Sequence, residues 1–126
     1  MKLLINGCGY IGKVHLNTIR KFGLCDAAIC DINPERLEET ASEFGIEETY
    51  HSLDEALKHP FDGVVICTPN FAHEPDVEKC LDAGLNVMLE KPVSHTLESA
   101  ERICRLAEEK KRFVFVAYCL RFAPTY

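Results

Sequence analysis

The chain has 126 residues and a formal net charge of −6, with 47% hydrophobic and 27% charged residues. That length suits one domain burying roughly two-thirds of its unfolded surface, and the acidic balance, with no basic run or basic–aromatic cluster, argues against nucleic acid or an anionic membrane as partner. No apolar run could span a bilayer, and the apolar part of Met1–Asn6 is too short for a signal peptide, so the cytoplasm is the expected compartment.

The first apolar run, Leu3–Ile5, predicts a strand. The glycine loop Gly7-Cys8-Gly9-Tyr10-Ile11-Gly12 follows, and Ile11, Val14, His15, Thr18, Ile19 and Phe22 then recur at helical spacing up to a stop at Gly23. A second strand, Ala27–Cys30, ends at Asp31. Asn33 caps and Pro34 opens the next helix, which carries Leu37, Thr40, Ala41 and Phe44 and ends at Gly45. A weak strand near Thr49-Tyr50 precedes a capping box, Ser52 with Glu55, ahead of Leu53, Ala56 and Leu57. Val64–Cys67 predicts the fourth strand, and Val77, Cys80 and Leu81 before Gly84 predict the helix after it. Val87–Leu89 is the fifth strand. Leu97, Ala100, Ile103, Cys104 and Ala107 mark the last helix, closed by the cations Lys110, Lys111 and Arg112, and Phe113–Ala117 is the last strand.

Five strand–helix units and a closing strand, their apolar runs continuous rather than alternating, predict parallel strands covered on both faces. Right-handed crossovers make this an α/β fold, a doubly wound Rossmann sheet of six strands in the order 3-2-1-4-5-6. The seven cysteines form no CxxC pair. They are expected to serve mostly as small core residues, with no metal site.

The glycine loop follows a strand and opens a helix, the setting a dinucleotide fingerprint needs. Gly7 suits the tight turn, Gly9 lets backbone approach a pyrophosphate, and Gly12 lets helix and strand pack closely. Tyr10 and Ile11 begin the helix whose free N–H groups would face the phosphates. Asp31, nineteen residues after Gly12, can accept ribose hydroxyls, which favours NAD over NADP. Arg36 would stack on adenine or stand solvated. A kinase loop is excluded because a helix, not an antiparallel strand, follows it, and an adenosylmethionine site would place its last glycine earlier than Gly12. Cys8 reads as a spacer in the loop rather than an activated thiol, and His15 as a packed or half-exposed residue of the apolar stripe.

Two stretches lie at later strand ends: Cys67-Thr68-Pro69-Asn70-Phe71-Ala72-His73 and Glu90-Lys91-Pro92-Val93. With the glycine loop, Asp31 and a closing Arg121-Phe122-Ala123-Pro124, the whole chain resembles the glucose–fructose oxidoreductase / inositol dehydrogenase / rhizopine catabolism (Gfo/Idh/MocA) family. The resemblance implies hydride transfer between a nicotinamide cofactor and a sugar, inositol or related polyol. It implies that Cys67, Thr68, Pro69, Asn70 and His73 line the cofactor near its nicotinamide-side ribose, that Lys91 is the catalytic lysine held by Glu90 and Pro92, and that Arg121 lies beside the cofactor. The Lys–Pro bond in similar proteins is often cis. It also implies a second domain, for substrate and oligomerisation, following the dinucleotide-binding domain of residues 1–126, so that this chain would be catalytically incomplete. A stand-alone nucleotide-sensing module is the alternative; the lysine favours the enzyme.

Overall fold

The computed structural model describes residues 1–125 of the chain. Among them six parallel strands, β1 (Lys2–Asn6), β2 (Asp26–Cys30), β3 (Thr49–Tyr50), β4 (Gly63–Ile66), β5 (Val87–Leu89) and β6 (Val114–Val116), pair in the expected order β3-β2-β1-β4-β5-β6. The helices are α1 (Tyr10–Phe22), α2 (Pro34–Phe44), α3 (Leu53–Ala56), α4 (His73–Asp82) and α5 (Leu97–Lys110). None is long and apolar enough to cross a membrane.

Strand periodicity divides the interior into two cores. Leu4, Ala28, Val64, Ile66, Val87 and Leu89 point to one face, where they meet Leu53, Val77, Leu81, Ile103 and Leu106 of α3, α4 and α5. Ile5, Ile29 and Val65 point to the other, against Leu16 and Leu37 of α1 and α2. Each central strand is therefore apolar on both sides, which is why its sequence runs without alternation. Caps start the helices as expected: Asn33 Oδ1 accepts from the Arg36 amide at 3.0 Å and Ser52 Oγ from the Glu55 amide at 3.1 Å. The return bond of Glu55 goes one residue further out, to the His51 amide.

Two helices bury a face rotated from the stripe their apolar residues suggest, with Ile11 and Ile19 of α1 and Ile103 and Ala107 of α5 still packed against the cores. In α1 the sheet-facing residues are Gly12 and Leu16, and Val14 and Phe22 are exposed. The reason is Gly12. A Cβ there would overlap the Gly7 carbonyl, so the helix seats on its glycine and the stripe rotates with it. In α5 the buried stripe is Ser99, Ile103 and Leu106, while Leu97 and Cys104 are exposed. This helix packs chiefly on α4, and its stripe joins the core that Val87 and Leu89 of β5 also enter. Of the seven cysteines, Cys8, Cys30, Cys67 and Cys80 are buried, Cys25 is half-buried, and Cys104 and Cys119 are exposed; all are free thiols.

Candidate cofactor site

The carboxyl ends of β1, β2, β4 and β5 share one edge of the sheet, and both loop groups singled out in the sequence leave from it. At the switch between β1 and β4, Gly7 turns with φ +103, and its amide donates to the Cys30 carbonyl at 2.8 Å. A Cβ on Gly7 would strike the Cys67 carbonyl group, so the β4 loop passes directly over this turn. The first intrahelical bond of α1 runs from the Lys13 amide to the Gly9 carbonyl at 3.1 Å. The amides of Tyr10, Ile11 and Gly12 precede it, as free donors at the positive end of the helix dipole. Tyr10 is exposed and Ile11 packs half-buried below it.

Asp31 is 5% exposed and does two things at once. Its Oδ2 accepts from the Cys8 amide and its Oδ1 from the Asn33 amide, each at 2.8 Å. It thus ties the glycine loop to the β2 turn. A carboxylate has about four acceptor positions, so room remains for ribose hydroxyls. The exposed Arg36 guanidinium stands 3.5 Å from Oδ2, close enough to share that carboxylate. Ile32, next to Asp31, is 87% exposed. This exposed apolar side chain in an otherwise polar turn had no place in the sequence reading.

Around β4 the structure corrects one expectation. His73 does not line the cofactor surface: it is the first residue of α4 and 1% exposed. Its Nε2 lies 3.0 Å from the Thr68 carbonyl, and its Nδ1 lies 3.0 Å and 3.2 Å from the carbonyls of Pro92 and Val93. The ring therefore clamps the Thr68 loop to the Lys91-Pro92 turn. Its spacing ahead of Val77, Cys80 and Leu81 is the signal that could have placed it on the buried face. Thr68 donates its hydroxyl to Asp76 Oδ2 at 2.7 Å, and Asn6 donates to the same oxygen at 3.1 Å. Burial raises the Asp76 carboxyl above its usual range, against the pull of the Thr68 hydrogen bond. Nothing in the sequence pointed to Asn6 or Asp76, which lie seventy residues apart. Pro69 and Asn70 are exposed at the start of a 3-10 turn, Asn70–Ala72, where the Pro69 carbonyl accepts from Ala72.

At the end of β5 the Lys91–Pro92 bond is cis. Glu90 is buried; its Oε2 accepts from the Lys91 amide at 3.2 Å and its Oε1 lies 2.7 Å from His15 Nε2. Glu90 therefore holds the lysine turn through the backbone, and its partner across the sheet edge is a residue of α1. Lys91 itself is exposed, as is Pro92.

Not every expected residue joins this edge. The Cys67 side chain lies in the core under α1 and α2, leaving its backbone as the part that borders the loop. Arg121 sits exposed in a 3-10 turn, Cys119–Phe122, beyond the edge strand β6, and it makes no side-chain hydrogen bond or ion pair to the other site residues among those described. The Cys8 thiol is pushed up to about 12, chiefly by burial and then by the Asp31 charge, so it is a spacer and not a nucleophile. A cavity of about 450 Å³ lies at the other end of the sheet, lined by Leu16, Ile19, Asp26, Phe44 and Ile46 among others, and holds none of this chemistry. No cluster of metal-ligating side chains occurs among the described residues.

The sequence profile of the Gfo/Idh/MocA oxidoreductase family, NAD-binding Rossmann fold, matches residues 1–118. The chain is 27% identical to 4-carboxy-2-hydroxymuconate-6-semialdehyde dehydrogenase of a Sphingobium species, over all of this chain and 41% of that protein. It is 29% identical to myo-inositol 2-dehydrogenase of Thermotoga maritima, over 97% of this chain and 37% of that one. The crystal structure of scyllo-inositol dehydrogenase from Lactobacillus casei with bound NAD(H) and scyllo-inositol superposes with a TM-score of 0.89 at 27% identity, covering 100% of this chain and 38% of that one. The chain thus spans about two-fifths of the length of these relatives. On the profile match over residues 1–118, the chain belongs to the Gfo/Idh/MocA oxidoreductase family as an NAD-binding Rossmann domain.

Proposed function

We propose that this chain is the cofactor-binding part of a nicotinamide-dependent dehydrogenase of sugars, inositols or related polyols, and that it takes NAD(H) in preference to NADP(H). The observation that carries this reading is the row of groups along one sheet edge: free amides at the start of α1, the Asp31 carboxylate and the Lys91 ammonium. Gly9 supplies the test of fit. A Cβ there would meet no protein atom within 4 Å, and its φ of −71 suits any residue. Neither packing nor backbone demands glycine at that position, which leaves a ligand approaching the backbone as the reason for it.

When bound, the dinucleotide supplies the hydride acceptor. The amides of Tyr10, Ile11 and Gly12 would hold its pyrophosphate, Asp31 its adenosine ribose, and Ile32 with Arg36 would cover the adenine. Thr68, Pro69 and Asn70 would border the nicotinamide-side ribose, on a loop whose shape His73 and Asp76 maintain. Lys91 would donate a hydrogen bond to the reacting oxygen of the substrate and stabilise the charge that develops there as hydride departs. Arg121 would act only once the chain beyond β6 turns back toward the cofactor. The substrate-binding domain, proton acceptor and oligomer contacts would lie in a further part of the protein, and seven free cysteines without a CxxC pair suit a reducing cytoplasm.

Titration of the purified chain with NADH and NADPH tests the reading. Asp31 would stand beside a 2′-phosphate, so NADH should bind about five- to a hundred-fold more tightly. Asp31→Ser should narrow that gap, and should also lower stability by about 2 kcal/mol by leaving the Cys8 and Asn33 amides without their charged acceptor. Equal affinity for both cofactors in the starting protein, or no gain in NADPH binding after the substitution, would overturn the assignment of Asp31.

A further inference from the structure

The turn at the end of β5 places a buried carboxylate, Glu90, immediately before an exposed ammonium, Lys91. A lysine carries its charge on a flexible four-carbon stem, so a carboxylate one peptide away is a ready trap for it. The trap is not sprung here. Among the described residues, Lys91 Nζ makes no ion pair with Glu90 or with any other acid, and Glu90 is held elsewhere. Its Oε1 is 2.7 Å from His15 Nε2, and its Oε2 takes the Lys91 backbone amide at 3.2 Å. The side chains of His15 and Glu90 are only 20% and 10% exposed, so their contact is largely shielded from water and holds its geometry better than a surface pair. The other titratable group facing Glu90 is the Cys67 thiol, pushed up to about 12 by burial and then by the Glu90 charge, and hence neutral.

We propose that His15 is a positioning residue for Lys91: by holding the Glu90 carboxylate, it keeps that charge from capturing the lysine ammonium and leaves the ammonium free for a substrate oxygen. This rests on the assignment of Lys91 to substrate oxygen made above. It also gives α1 two tasks, since the helix that offers its amides to the pyrophosphate carries, one turn later, the side chain that frees the lysine.

The titration of Lys91, followed by NMR on the 126-residue chain with ¹³C-labelled lysine and assigned by its loss in Lys91→Arg, tests the proposal directly. In His15→Ala the Lys91 titration should move upward by about half a pH unit or more, because a nearby opposite charge favours the protonated amine. His15→Leu, which fills the space without a donor, should give the same shift and serves if alanine disrupts the fold. In His15→Gln, whose amide can still donate to Glu90, the titration should remain at the wild-type position. Combining His15→Ala with Glu90→Gln should abolish the upward shift, since the capturing charge is gone. Identical Lys91 titrations in wild type, His15→Ala and His15→Leu would overturn the proposal, as would an undiminished shift in the double variant. NADH titration of the wild-type chain is a separate readout: failure there counts against the cofactor reading and leaves the lysine result interpretable.

Discussion

The two ends of the candidate cofactor groove are built by different physics. The pyrophosphate end, from β1 through α1 to Asp31, is shaped by backbone: a turn with positive φ at Gly7, a glycine seat at Gly12, and free amides at a helix start. The lysine end, from Thr68 to Val93, is shaped by side chains that arrive from distant positions. His73 lies within 3.2 Å of three carbonyls, Asp76 gathers Thr68 and Asn6, and His15 reaches Glu90 from α1. A site made from backbone is intolerant of added atoms. A site made from buried polar side chains is intolerant of lost hydrogen bonds, and it acquires a pH dependence.

The largest effect should come from substitutions that test the backbone end by adding one methyl group. Gly12→Ala forces α1 off the Gly7 carbonyl, and about 3 kcal/mol of stability should be lost together with NADH binding. Gly9→Ala adds the same methyl group where no protein atom stands. Gly9 is the N-cap of α1, and alanine is a poorer cap, so unfolding free energy should fall by no more than about 1 kcal/mol, while NADH affinity falls about tenfold or more. Urea denaturation and cofactor titration on both variants separate the two effects. If Gly9→Ala binds NADH normally, the backbone does not approach a ligand there.

At the lysine end, His73→Leu should be nearly as costly by the opposite route. It keeps bulk but removes the buried ring N–H, whose carbonyl partner is left without its donor, and a loss of about 1–3 kcal/mol is expected in urea denaturation. NADH affinity should fall less than in Gly9→Ala, because the ring does not touch the groove. A larger loss of binding than of stability would show that His73 meets the cofactor after all.

The smallest effect, and the sharpest in sign, belongs to Asp76. Burial raises its carboxyl above the ordinary value. Between that ordinary value and the raised one, the folded chain holds more protons than the unfolded chain, so the contribution of Asp76 to stability falls as pH rises through the window. Asp76→Asn keeps an oxygen for Thr68 and Asn6 but cannot ionise. The variant should gain on wild type as pH rises through the window above the ordinary carboxyl value, and at neutral pH be at least as stable. Thermal unfolding across that range provides the check, and a difference that shrinks with rising pH would reverse the assignment.

These contrasts explain which parts of the molecule were legible in its sequence. Strand order followed from continuous apolar runs and capping residues, because those report local periodicity and the handedness of crossovers. The glycine loop and Asp31 were legible for the same reason, since turn conformation and helix dipole are local properties. Helix faces were less so: Val14 and Leu97 fit an apolar period and are nevertheless exposed, because the depth to which Gly12 seats α1, and the packing of α5 on α4, depend on partners far along the chain. Residue roles at the lysine end were least legible. His73 was expected as a cofactor contact from the family resemblance, and His15 as a residue of the apolar stripe, until their partners were in view.

The sequence by itself determined the doubly wound sheet, the edge at which a dinucleotide would bind, and the residue types set out along it. Each of these follows from chemistry within a few residues of the position concerned. Only the tertiary structure decided that Asp31 also ties down the Cys8 amide, that His73 is a clamp, and that Glu90 is paired with His15 rather than with the ammonium of the adjacent lysine. The partners in those contacts are 5 to 75 residues apart in the chain. In the longer contacts a buried polar group takes whichever partner the folded sheet brings within hydrogen-bonding distance, and no local pattern records that choice.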